Sequence, residues 1–172
     1  MEGALNIFIV DKNPAEAARS LIDRHVIKMP SETCMMLANC YSKTLLEKAP
    51  LTKTGTVRGH GYPHHGCTKW AKSSYENFRW LLDHGLELCN EYTFRFGKTH
   101  FCQTFIEWCY QMYPDEVYQV LPTKPYLAMP DQYKNDDVVL SYRSYYNGEK
   151  KFDKSGKWMY NWTKRQKPNW TS

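Results

Sequence analysis

The stretch from Asn13 to Lys48 constrains this chain more than any other. Asn13 is a helix N-cap, Pro14 stands at the first helical position, and Glu16 completes a capping-box-like pattern. A helical periodicity then runs to about Lys48 and is interrupted at Pro30, where the missing N–H and the ring predict a kink. Two further stretches repeat the pattern. Thr68 to Phe96 places Trp70, Asn77, Phe78, Leu81, Leu82, Leu88 and Cys89 on one buried side, with Gly85 weakening its middle. "KTHFCQTFIEWCYQMY" forms a third helix ending near Pro114, and "DDVVLSYRSYYNGEK" a fourth. The reading is all-α: a single compact helical domain of three to four main helices, with long loops and an extended aromatic-basic C-terminal segment.

What lies between the helices is turn-rich. "NIFIVD" is a short apolar run, either a brief strand or an extended segment tucked into the core. Residues 1–5 are expected as a flexible leader, 49–66 as a loop insertion, and 149–172 as the basic aromatic tail. Neither a repeat nor a domain boundary interrupts residues 1–172, which are enough to bury a sizeable core. The six cysteines contain no C-x-x-C pair, and no apolar stretch is long enough for a signal peptide or a membrane span. A monomeric protein of the cytoplasm (the host's, if viral), with reduced thiols and no membrane partner, fits this pattern.

Inside the first helical stretch, "RHVIKMPSE" puts His25, Lys28 and Glu32 within an arc of roughly 60°. Leu21, Met36 and Asn39 lie on or beside that stripe. Paired along an exposed face, such a trio is worth only a few tenths of a kcal/mol. Under a cleft, the same carboxylate serves acid–base or electrostatic catalysis, and a desolvated lysine serves as a nucleophile. A second cluster, His60, His64, His65 and Cys67, has the makings of a zinc set but lacks a matched second pair of ligands. No metal and no cofactor is therefore assigned, and loop histidines touching phosphate or the trio are the preferred reading. The net charge of +5 is weighted toward the tail, where Lys164, Arg165 and Lys167 alternate with Trp158, Trp162 and Trp170. Basic residues among aromatics suit phosphate contact and base stacking, or else a solvated tail docked by its rings.

With the first helix and the tail both in view, the chain resembles the phage pyrimidine-dimer DNA glycosylase/AP lyase family, the phage endonuclease V group. "LNIFIV" is similar to that family's N-terminal segment. "DRHVIKMPSE" resembles its first helix, with Asp23, His25 and Glu32 at matching spacing. "MPDQYKND" and "QKPNW" resemble the segments that flank its last helix. The opening is also similar to a phage protein family that begins "NIF-V-D … DKHVVKM". The resemblance implies an all-α enzyme that flips a nucleotide out of the duplex, attacks the sugar C1′ with its N-terminal amine, and cleaves the strand by β-elimination. Glu32 would then be the catalytic carboxylate, with His25 and Lys28 beside it. Arg24, Asn39, His64, His65, Arg143, Lys164, Arg165, Lys167 and Trp170 would contact double-stranded DNA carrying a lesion or modified base.

This chain departs from the family at two places. Ser31, not an arginine, precedes Glu32, and Met1 to Ala4 extend past the position of the family's amine. Lyase activity is accordingly expected to be weak or absent. Three functions stay open at this point: a DNA glycosylase, a phage DNA- or nucleotide-modifying transferase or hydrolase on the same scaffold, and a non-catalytic nucleic-acid-binding protein.

Overall fold

The computed structural model describes residues 5–172. Its helices begin where the N-cap chemistry puts them. Asn13 accepts hydrogen bonds from the amides of Ala15 and Glu16 and starts α1 (Pro14–Ser20). Six more helices follow: α2 (Asp23–Ala38), α3 (Lys43–Leu46), α4 (Gly66–Ser73), α5 (Tyr75–Phe96), α6 (Gln103–Gln111) and α7 (Val138–Glu149). A short 3-10 turn at Asp131–Tyr133 precedes α7. Among the described residues, β pairing is limited to one bridge between Phe152 and Trp158. The all-α reading holds.

The four expected helices map onto α1–α3, α4–α5, α6 and α7, so two of them are broken where the sequence pattern ran on. Pro30 is carried inside α2 and does not end it. The first break falls instead at Leu21–Ile22, where no proline or glycine marks it. Backbone groups freed there find distant partners: the carbonyls of Arg19 and Leu21 accept from the Arg95 guanidinium at 2.9 and 2.8 Å. Trp162 donates to the Ser20 carbonyl at 2.9 Å, and the Ile22 amide donates to the Tyr146 hydroxyl at 3.0 Å. A helix can stop wherever its orphaned groups are satisfied, and here the satisfaction is tertiary. A second break separates α2 from α3, and Ser74 makes the third, extended in backbone after α4 and capping α5 through its hydroxyl, which accepts from the Asn77 amide.

Around α5 the core is assembled. That helix packs against α1, α2, α4 and α6. Its crossing with α2 depends on Gly85, because a Cβ there would lie 2.6 Å from Cγ2 of Thr33. Residues Leu5 to Val10 are buried beside this core, as a non-helical, largely apolar segment tucked in without a strand partner among the described residues. Leu5, expected as the end of the leader, is therefore a core residue; residues 1–4 of that leader lie outside the described residues. The six cysteines are buried free thiols. No helix among the described residues is long and apolar enough to cross a membrane.

Residues 150–172 have no helix, yet they are anchored. Tyr160 donates to the Tyr146 carbonyl at 2.9 Å, and the Asn147 amide donates to the Trp170 carbonyl at 2.9 Å. Glu91 of α5, almost fully buried, receives Arg95 from its own helix and Arg165 from the tail. Arg95 also meets Asp23 at 3.0 Å, so one buried arginine joins α1, α2 and α5.

Candidate active site

The trio on α2 lies at the seam between core and surface. His25 is 7% exposed and Glu32 6%, whereas the Lys28 side chain is 57% exposed. An open groove over the whole stripe is thus not what the fold provides. The N-terminal segment crosses it: the Asn6 amide donates to Oε2 of Glu32 at 2.9 Å, and the Phe8 ring stacks on His25 with centroids 4.5 Å apart. Lys28 closes the other side with Nζ 2.9 Å from Oε1 of Glu32. Each carboxylate oxygen therefore has one donor, which offsets the cost of burying a charge.

Asn6 shapes the segment that reaches the carboxylate. Its side-chain oxygen accepts from the amides of Ile7 and Phe8 at 2.8 and 3.0 Å, and its amide donates to the Ala128 carbonyl at 2.8 Å. Phe8 is thereby held at φ 56°, a left-handed conformation that costs a bulky residue on the order of 1–3 kcal/mol. Arg143 on α7 pins the same segment further along, donating to the Val10 carbonyl at 2.8 Å and meeting Asp11.

Burial comes first in the electrostatics, and charged neighbours second. Burial, then the Lys150 ammonium, then Lys28 and Arg24, push His25 down to about 3. Lys150 lies over the ring of Tyr145 at 4.6 Å and near Phe8. On the other flank, burial lowers His65, and the Glu32 carboxylate opposes that shift. Burial, then Glu32, pushes the Cys67 thiol up to about 12, so it is no nucleophile. The site is a buried carboxylate held by Asn6 and Lys28, two helical turns from a neutral imidazole that has Lys28, Arg24 and Lys150 around it.

The other expected contact residues divide. Arg24 reaches toward Asp153 at 3.4 Å, and the side chains of His64 and Lys167 are exposed. Asn39 ties α2 to the 49–66 loop by donating to the carbonyls of Met35 and Gly61. His65 caps α4, accepting from the Cys67 amide at 3.1 Å. Lys164 bonds the Phe94 carbonyl, Arg165 packs over the Phe94 ring, and Trp170 lies against Tyr146 and beneath Arg143. Most of the tail's interaction capacity is thus spent within the fold. His60 bonds the Tyr41 carbonyl, and among the described residues no three His, Cys, Asp or Glu side chains converge on a metal position.

Two cavities, of about 400 and 230 Å3, line up with Trp70 and Trp80 and with Tyr75 and Tyr110 respectively; neither includes Glu32. Sequence reasoning missed Asn6, Phe8, Lys150 and Tyr146. Asn6 was adjacent to the apolar run, but its turn-forming bonds carry no signature beyond a residue type that favours such turns.

A family model described as pyrimidine dimer DNA glycosylase matches residues 5–104. Comparison with curated proteins and with solved structures gives no match. The matched region contains Asn6, Phe8, His25, Lys28 and Glu32 and ends at the start of α6; α7 and the tail lie beyond it. More than half of the chain is covered, and the chain belongs to the pyrimidine dimer DNA glycosylase family.

Proposed function

We propose that the protein is a DNA glycosylase that excises a dimerised pyrimidine from duplex DNA in the cytoplasm, with Glu32 as its catalytic carboxylate. One observation carries the reading: within the segment that matches the family, Glu32 is buried with both oxygens held, at the place where the N-terminal segment crosses α2. Breaking the bond between C1′ and the base nitrogen sends the bonding pair to the base and leaves positive charge on the sugar. A preorganised carboxylate stabilises that charge without having to reorganise as it develops. A nucleophile then completes C1′, and in this reading Glu32 accepts the proton it sheds. Lys28 and Lys150 supply charge for the flanking phosphates.

The test is a duplex oligonucleotide carrying one cyclobutane pyrimidine dimer, with excision scored as alkali-labile sites. Glu32→Gln keeps the shape of the side chain and an oxygen for the Asn6 amide while removing the charge. Its turnover should fall on the order of 10²-fold or more, with duplex affinity nearly unchanged. Full activity in Glu32→Gln, or no excision by the unaltered protein, overturns the reading.

A further inference from the structure

We infer that Tyr146 is a positioning residue that fixes His25 as the neutral Nε2–H tautomer, so that α2 offers substrate one uncharged hydrogen-bond donor two turns from Glu32. This deepens the glycosylase reading and rests on it.

The argument is an accounting of protons. Oη of Tyr146 lies 2.6 Å from Nδ1 of His25 and accepts the Ile22 amide at 3.0 Å. A phenol has a single proton to give, and this hydroxyl is fully buried. If Nδ1 carried the imidazole proton, both His25 and Ile22 would donate to Oη, and the phenol proton would have no acceptor among the described residues. Leaving a buried donor unmade is costly, whereas sending the phenol proton to Nδ1 satisfies all three groups. The imidazole proton then resides on Nε2. That atom has no hydrogen-bond partner among the described residues, and it is not one of the buried unsatisfied atoms, which belong to Arg58, Thr68 and His84. The Nε2 edge is thus not fully sealed inside the fold.

The neighbours keep the ring uncharged. Lys28 and Arg24 face it from α2, Lys150 from the end of α7, Tyr146 from within α7, and Phe8 covers one face. Glu32 is two turns away and occupied by Lys28 and Asn6. A neutral donor matters for the proposed reaction. The sugar becomes cationic on the way to the transition state, and an imidazolium on the same stripe would repel it. An uncharged N–H can hold an oxygen of the lesion nucleotide without that penalty.

Two measurements test this, and the first needs no substrate. Long-range proton–nitrogen NMR on the resting, 15N-labelled protein should show His25 protonated at Nε2 and bare at Nδ1, unchanged from pH 8 to pH 5. A proton on Nδ1, or titration within that range, overturns the inference. Tyr146→Phe should lose the single-tautomer signature; if that variant does not fold, a second pair decides. His25→Gln places an amide near the Nε2 position, while His25→Asn reaches only the Nδ1 position. Excision should persist within about tenfold in His25→Gln and fall on the order of 10²-fold in His25→Asn. Equal loss in both overturns the donor role. An Nε2–H signature in a protein that excises no dimer would support the tautomer lock and overturn the glycosylase reading instead.

Discussion

The Asn6 amide nitrogen lies 2.9 Å from Oε2 of Glu32, so the turn at Asn6 and the proposed catalytic carboxylate form one unit. Positions 6 and 32 are brought together by two different causes. Glu32 follows from the register of α2. Asn6 follows from its own side chain, which bends the backbone so that its amide points at the carboxylate.

Removing that side chain should therefore injure both stability and rate. Asn6→Ala deletes the acceptor for two amides and the donor to Ala128, and leaves Phe8 in a left-handed conformation with nothing to hold it. A loss of about 1–3 kcal/mol in denaturant unfolding is expected. Excision should fall more than stability alone explains, because Glu32 then loses a fixed donor. Wild-type excision in a stably folded Asn6→Ala would show that the clamp has no part in the site.

His84 supports a prediction about acid. It is fully buried on α5, stacked on Trp80, and neither ring nitrogen has a partner among the described residues. Burial pushes it down to about 3, as burial and nearby cations do for His25. Both histidines are neutral when folded and take up a proton near pH 6.5 when unfolded. Below that pH the unfolded chain binds more protons, so stability falls as pH drops from about 6.5 toward 3. Each histidine contributes up to about 1.4 kcal/mol per pH unit in that window. His84→Phe removes one of the two and also removes two unsatisfied nitrogens. It should raise stability at pH 7 by about 1 kcal/mol and visibly flatten the decline between pH 6 and pH 4. An unchanged slope in urea titrations across that range would refute the assignment.

Much of this was legible in the sequence, and what was not has a common cause. The Asn13 cap, the helical periods and the apolar "NIFIV" run placed the elements, because those signals are local. The spacing of His25, Lys28 and Glu32 singled out the stripe for the same reason. The break at Leu21–Ile22 was invisible, since Arg95, Trp162 and Tyr146 make it possible from 74 or more positions away. The tail's residues were picked out by type, but only the fold shows that Arg165 and Trp170 spend their contacts internally. Long-range satisfaction of polar groups is the part a linear pattern cannot display.

Two basic residues of that tail should accordingly behave differently. Arg165 bonds buried Glu91 and packs on Phe94. Burial would raise the Glu91 carboxyl, but hydrogen bonds from Arg165 and Arg95 outweigh it and hold the group below its ordinary range. Arg165→Ala should destabilise the fold by about 1–3 kcal/mol. Exposed Lys167 should leave the melting temperature unchanged on conversion to Ala. If it meets a phosphate, Lys167→Ala lowers the salt slope of duplex binding by about 1. A reversed pattern, with Lys167→Ala unfolding the tail and Arg165→Ala altering only the slope, would overturn this division.

Lys28 supplies the last prediction. An imine with an abasic sugar needs an amine lone pair to attack C1′, after which water leaves and borohydride reduces the C=N bond. The Lys28 ammonium is paired with Oε1 of Glu32 at 2.9 Å, and its exposed end lacks the apolar enclosure that activates catalytic lysines. Its contribution is charge: it holds the carboxylate and faces the backbone of a bound duplex. Lys28→Ala should weaken duplex binding and lower excision less than Glu32→Gln does. Borohydride treatment with an abasic duplex should leave no adduct on the Lys28 peptide. Peptide mapping that finds one, and its disappearance in Lys28→Ala, would make Lys28 the nucleophile and overturn this assignment.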